Sequence, residues 1–208
     1  MAYHQGGLHR GNQMPGLRRT AVSGSMILAL LGAGLFAWTW VPPPMKSETN
    51  TLAVAELSAE RLDLTLDSPV WLRAGMAERY VLRLARSGDS EGGERRLVWV
   101  ELHAAGSLVG PANEQGGAIG PGEHLEYRWT VTARAGEDVM VEVSLRLAED
   151  RAEAGRTVWA ETAEFEVVDY LGMDAVTARA AGALGAILGA MISAIAGRFP
   201  DPSAARKR

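Results

Sequence analysis

The sequence predicts a mainly β protein with two transmembrane helices, in which a seven-stranded antiparallel sandwich lies between two membrane-spanning segments. Three observations predict it. Two uncharged apolar runs stand near the two ends of the 208 residues. Between them the hydrophobic pattern changes to a period of two. Basic residues flank the runs, whereas the middle is acidic, which is the charge pattern of membrane topology.

Residues 1–20 carry Arg10, Arg18 and Arg19 and no acid, giving +3. This polar, glycine-rich segment is expected to be disordered on its own and to lie in the cytoplasm. Residues 21–41, AVSGSMILALLGAGLFAWTWV, contain no charge and match the roughly 20 residues that cross a bilayer as a helix. Arg18 and Arg19 sit before this run; Trp38 and Trp40 sit at its far end, where indoles favour the headgroup zone. Pro42, Pro43 and Pro44 stop the helix because none donates a backbone hydrogen bond. A cleaved signal peptide shares the basic flank, but the apolar run is long and no small-x-small site follows it. The segment is therefore read as an uncleaved anchor, followed by a linker at 42–51.

Residues 52–168 read as the sandwich. At 139–147, Val139, Val141, Val143, Leu145 and Leu147 alternate with polar residues and Met140. Leu125, Tyr127, Trp129 and Val131 do the same, as do Tyr80, Leu82 and Leu84, and Leu62, Leu64 and Leu66. Further candidates are 52–57, 97–103 and 157–168. Such alternation marks half-buried antiparallel strands. Turn signals separate them at 73–75, 88–93, 135–137 and 149–155, and 110–122 reads as a long loop. The tryptophans Trp71, Trp99, Trp129 and Trp159 fall in or beside these strands.

The segments SPVWLRAG, YVLRLAR and IGPGEHLEYRWTVTARAGEDVMVEVSLRL resemble those of bacterial membrane-anchored immunoglobulin-like proteins. The resemblance covers roughly 52–168 and is one of architecture. It implies an immunoglobulin-like sandwich and places Trp99 at the position such domains bury, without the usual cysteine pair.

Residues 170–199 read as a helix containing the second span, with an uncharged core at 180–197, and 200–208 as a basic cytoplasmic tail. Ala181, Gly185, Gly189, Ser193 and Gly197 recur at every fourth residue, and Gly182, Ala186, Ala190 and Ala194 form a row beside them. Small residues at this spacing let helix backbones approach closely in lipid. The first span has a weaker row in Ser25, Ala29, Ala33 and Ala37, with Gly24 and Gly32 beside it. The partner could be the chain's own other helix or another subunit. Arg179 and Arg198 flank the second span and can snorkel to the interfaces.

With 13 Lys/Arg against 23 Asp/Glu, residues 46–169 carry −10. A nucleic-acid partner is not expected of so acidic a domain. The absence of cysteine excludes a lipoprotein anchor, disulfides, covalent c-type haem, iron–sulfur clusters and thiolate zinc. His4, His9, His103 and His124 have no metal-ligand spacing, and no histidine lies in either span to ligate haem or bacteriochlorophyll. The glycine-rich 116–122 precedes a strand, whereas a phosphate loop precedes a helix. No catalytic, cofactor or metal site is expected.

These readings point to a non-catalytic accessory subunit of a bacterial inner-membrane complex. Both termini would be cytoplasmic, the sandwich periplasmic, and the contacts would be with the bilayer and with other membrane subunits through helices and sandwich. A photosynthetic reaction-centre–antenna complex is favoured slightly over a respiratory one, on architecture alone. The alternative is an envelope binding or sensing module that recognises a protein or glycan.

Overall fold

The computed structural model describes residues 14–53, 61–88, 94–148 and 155–198, with side chains in the first helix from Val22 onward. The expectations for residues 1–13, for the tail 200–208 and for the turns at 89–93 and 149–154 lie outside the described residues. The chain divides into two compact units, the helical unit (1–40 with 178–208) and the strand unit Val41–Thr177.

The strand unit is a two-sheet β-sandwich. Its strands are β1 (Met45–Ala53), β2 (Arg61–Pro69), β3 (Leu72–Arg73), β4 (Ala77–Ser87), β5 (Arg96–Ala104) and β6 (Leu108–Gly110), followed by β7 (Glu114–Ile119), β8 (His124–Thr132), β9 (Val139–Ala148), β10 (Arg156–Phe165) and β11 (Val167–Val168). One sheet has the order β1-β2-β4-β8-β6 and the other β10-β9-β5-β7, while β3 and β11 form a short parallel pair. The runs β2-β4-β8 and β10-β9-β5 follow the A-B-E and G-F-C orders of immunoglobulin-like sandwiches; β6 and then β7 extend them beyond β8 and β5, the reverse of the D and C′ chain order, and β1 is added outside β2.

Alternation places the apolar residues inward. Leu62, Leu64, Tyr80, Leu82, Leu84, Trp129 and Val131 of one sheet pack with Val98, Val100, Leu102, Val141, Val143 and Leu145 of the other. Each such side chain contributes about 1.5–3 kcal/mol when fully buried, so the core stands without disulfides.

Three details differ from the sequence reading. First, β1 starts at Met45, inside the segment read as linker; the candidate strand 52–57 continues past Ala53 into undescribed residues. Second, 110–122 is not one loop, because Glu114–Ile119 pairs with β5; with Leu108–Gly110 on β8 this gives the two sheets nine strands where seven were expected. The glycines of β7 hid that strand, yet they are what it needs. A methyl carbon added at Gly116 would lie 2.5 Å from the Trp99 ring, and one added at Gly117 would lie 2.8 Å from the Tyr127 hydroxyl. Third, the tryptophan buried at the centre is Trp129, 1% exposed, with its indole N–H donating to the Asn113 carbonyl. Trp99 faces outward, since the period of two that buries Val98 and Val100 turns it to the other side.

Helix α1 runs Met14–Trp38 and helix α2 Ala175–Arg198. The first helix thus begins before residue 21 and includes Arg18 and Arg19. α2 is long and apolar enough to cross a membrane. The apolar part of α1 among the described residues, Val22–Trp38, is shorter, about 26 Å at 1.5 Å per residue. Among the described residues, one helix is therefore of spanning length where two were expected.

Candidate functional site

Within the helical unit, α1 and α2 pack against each other at backbone distance. A methyl carbon added at Gly32 would lie 2.5 Å from the Ala186 nitrogen and 2.7 Å from the Gly182 carbonyl oxygen. One added at Gly189 would lie 2.5 Å from both the Ala29 nitrogen and the Ser25 carbonyl oxygen, and one at Gly182 2.8 Å from the Gly32 carbonyl oxygen. These glycines leave the space the opposite backbone occupies. Gly185 is less confined, with the Gly32 Cα at 3.6 Å from its added methyl.

A side-chain hydrogen bond joins the two helices. The Ser25 hydroxyl donates to the Val22 carbonyl at 2.9 Å and lies 2.7 Å from the Ser193 hydroxyl. With its own proton committed to Val22, Ser25 accepts the proton of Ser193. Double-mutant measurements in membranes put such bonds at roughly 0.6 to 1.7 kcal/mol.

The other end of the pair is closed by Arg179. Its guanidinium donates from Nη2 to the Thr39 carbonyl at 2.9 Å and from Nε to the Thr39 hydroxyl at 3.2 Å. The same group lies 4.1 Å from the centroid of the Trp40 ring. The Thr39 hydroxyl donates in turn to the Phe36 carbonyl at 2.7 Å. A cation thus meets the Thr39 carbonyl just past the end of α1, where the helix dipole is negative, and an indole face beside it.

The structure brings together some of the sequence-selected residues and not others. Ser25, Ala29, Gly185, Gly189 and Ser193 lie on the mutual face, whereas Ala33, Ala181 and Gly197 are exposed. The reason is geometric. Residues four apart rotate about 40° per step around a helix of 3.6 residues per turn, so a row of five winds off any one face. The face in contact follows Ala178, Gly182, Gly185, Ala186, Gly189 and Ser193, which mixes steps of three and four. Gly32 and Gly182, which the sequence set in the neighbouring rows, lie at the closest contacts; Thr39 was missed, and no signal marked it. Of the interface residues, Trp38 and Trp40 are 51% and 59% exposed, and Arg198 ends α2. Arg18 and Arg19 lie within α1, their side chains outside the description.

In the strand unit two further groups stand out. Arg73 and Glu78 form a buried ion pair at 2.5 Å, with side chains 10% and 8% exposed, and Arg73 Nη1 also reaches the Val41 carbonyl at 3.4 Å. On the edge strands β1 and β10, Glu161 is pushed up to about 7, chiefly because it shares a hydrogen bond with the Glu48 carboxyl and secondarily by burial. Glu48 is held below its ordinary range by that bond and by Lys46. Among the described residues, no group of three or more histidines and carboxylates is placed to hold a metal ion.

No protein family and no curated protein matches the chain. Solved structures align with part of the chain at low identity. One chain of the complex of zinc 2-glycoprotein with prolactin-inducible protein from human seminal plasma aligns at a TM-score of 0.40 and 11% identity, covering 62% of this chain and 98% of that one. The CARDB domain of a Pyrococcus furiosus protein, in complex with di-metal ions, aligns at 0.32 and 13%, covering 61% and 94%. An MSP-domain-like protein of Caenorhabditis elegans aligns at 0.31 and 14%, covering 48% and 94%. Superpositions this partial carry no weight here, and the fold rests on the strand order itself.

Proposed function

We propose that the chain is a non-catalytic subunit of a bacterial membrane assembly, anchored in the cytoplasmic membrane by α1 and α2 and bracing its partners with the sandwich on the periplasmic side. The observation that carries this reading is the helix pair. Its glycine contacts and its Ser25–Ser193 bond are the devices by which helices associate in lipid, where burial of apolar surface gives no drive. The outward residues Leu30, Leu31, Leu184, Ile187 and Ile195 are more than half exposed, the composition of a lipid-facing surface. Basic charge at both ends, with −10 between, supports cytoplasmic termini and an outside sandwich.

The close contact also shifts the argument. The glycines engaged between α1 and α2 are occupied within the chain, so partner contact falls chiefly to the sandwich and to the outward small residues Ala33, Ala181 and Ala190. A photosynthetic parent complex rests on architecture alone and is carried by no residue of the site.

Extraction in mild detergent followed by native size analysis tests the proposal. The chain is expected to travel with other membrane subunits in fixed stoichiometry. A chain that travels alone at 22.2 kDa plus micelle overturns the subunit reading and leaves the envelope binding or sensing module in its place.

A further inference from the structure

We propose that the end of the sandwich at which the chain enters and leaves it is itself a lipid contact, with Leu171, Val70 and Val41 seated in the interfacial layer of the bilayer. This deepens the membrane-anchor reading and rests on it.

Several backbone bonds gather the residues concerned at one end of the strand unit. The Val70 N–H donates to the Pro44 carbonyl at 2.9 Å, and Arg73 holds the Val41 carbonyl. Ala74 donates to Val168 at 3.1 Å and accepts from Ala175 at 2.9 Å, which ties the exit segment to the same place. Val41, Met45, Val70, Leu171 and Val176 are all exposed here. Elsewhere on the unit, only Leu108 and Met140 among the described residues are both large, apolar and exposed. The apolar surface is therefore concentrated where the helices begin and not spread over the strands.

Leu171 is the strongest member. It is 79% exposed, and its φ of 61° lies in the left-handed region that a bulky side chain rarely adopts. The turn that holds it is firmly built. Tyr170 is 1% exposed, Tyr170 and Met173 exchange backbone hydrogen bonds at 2.9 and 3.3 Å, and the Gly172 N–H donates to the Asp169 carboxylate at 3.0 Å. A hydrogen-bonded turn that holds a leucine outward at the cost of a disfavoured conformation marks it as a contact residue. Connectivity names what it meets. Leu171 precedes the first residue of α2 by four positions and Val41 follows the last of α1 by three, so each is tethered within about 14 Å of a helix end at 3.3–3.6 Å per residue. If those helices cross a bilayer, its interface is the apolar layer within reach.

The chain has no cysteine, so single environment-sensitive labels can be placed at will. Full-length Leu171→Cys, Met140→Cys and Leu188→Cys variants are labelled with bimane and reconstituted in vesicles of mixed zwitterionic and anionic phospholipid containing a headgroup-level or acyl-chain nitroxide lipid. The expected result is a blue shift and loss of emission at Leu171 with the headgroup nitroxide, quenching at Leu188 with the acyl-chain one, and neither change at Met140. Quenching at Leu188 with Leu171 as unquenched as Met140 overturns the contact while the anchor stands. No quenching at Leu188 overturns the anchor, and the contact with it. A Leu171→Asp chain labelled at Val70→Cys, its β-structure checked by circular dichroism, is expected to lose quenching at Val70; retained quenching overturns the role given to Leu171.

Discussion

Ser25 and Ser193, 168 residues apart in the chain, lie with their hydroxyl oxygens 2.7 Å apart across the contact between α1 and α2. The bond fixes the register in which the glycines of each helix meet the backbone of the other. The same register explains why substitutions at neighbouring glycines should differ sharply.

Gly189→Ala and Gly32→Ala each place a methyl 2.5 Å from the facing backbone, and overpacking of this kind costs roughly 1–3 kcal/mol. Gly185→Ala meets only ordinary contact at 3.6 Å, and Gly197→Ala meets nothing within 4 Å. Thermal unfolding of the helical unit in micelles, followed by circular dichroism, should fall for the first two and stay near the parent for the others. Equal loss at Gly185 and Gly189 would show a different register.

Arg179 joins the helices through Thr39 and Trp40. Arg179→Gln should lower stability by roughly 0.5–2 kcal/mol through loss of the cation over the indole and at the helix end. Lysine should recover part of this, since it keeps the charge but not the planar fork. A Trp40 emission maximum unchanged in both variants would contradict the contact.

Asp174 caps α2 by accepting from the Thr177 N–H at 2.7 Å, and this bond holds its carboxyl below the usual range. Asp174→Ala should cost about 1 kcal/mol. Gly75, at φ 73°, leaves only 2.9 Å to the Asp174 Cβ for an added methyl, so Gly75→Ala should cost at least as much, through both strain and crowding. Urea titration of the strand unit's tyrosine and tryptophan signals measures both.

The Glu48–Glu161 pair predicts a pH dependence. Glu161 keeps its proton up to about 7, against an ordinary 4.5, so between those values the folded state binds a proton that the unfolded chain has released. Stability should therefore fall as pH rises from about 4.5 to about 7. Glu161→Gln removes the titration and should flatten the melting temperature across that window. A melting temperature in the parent that rises there would contradict the shared proton.

Sequence pattern carried the sandwich well where alternation was strict. Val139 to Leu145 and Leu125 to Val131 alternate just as they are buried. It failed at β7, because Gly116 and Gly117 have no side chain to show a period and serve instead to seat Trp99 and Tyr127. Alternation set Trp129 on the apolar face with Tyr127 and Val131, where it is buried; it was the resemblance that put Trp99 inside, against the period that buries Val98 and Val100. On the helices, small residues marked the means of packing, but a strict four-residue row could not locate the face, which follows 3.6 residues per turn. The Arg179–Thr39 and Glu48–Glu161 relationships join residues 140 and 113 positions apart and leave no local signature.

The central claim is that α1 and α2 of one chain pack together as the anchor, and oxidative cross-linking tests it most directly. In the cysteine-free background, Ser25→Cys with Ser193→Cys is oxidised in native membranes, and the chain is then cut at a protease site inserted at 89–93. The account predicts two fragments held together at the mass of one chain and separated by reductant, with no such link for Ala33→Cys paired with Gly197→Cys. Fragments that separate without reductant, or a link found only at twice the chain mass, would contradict it.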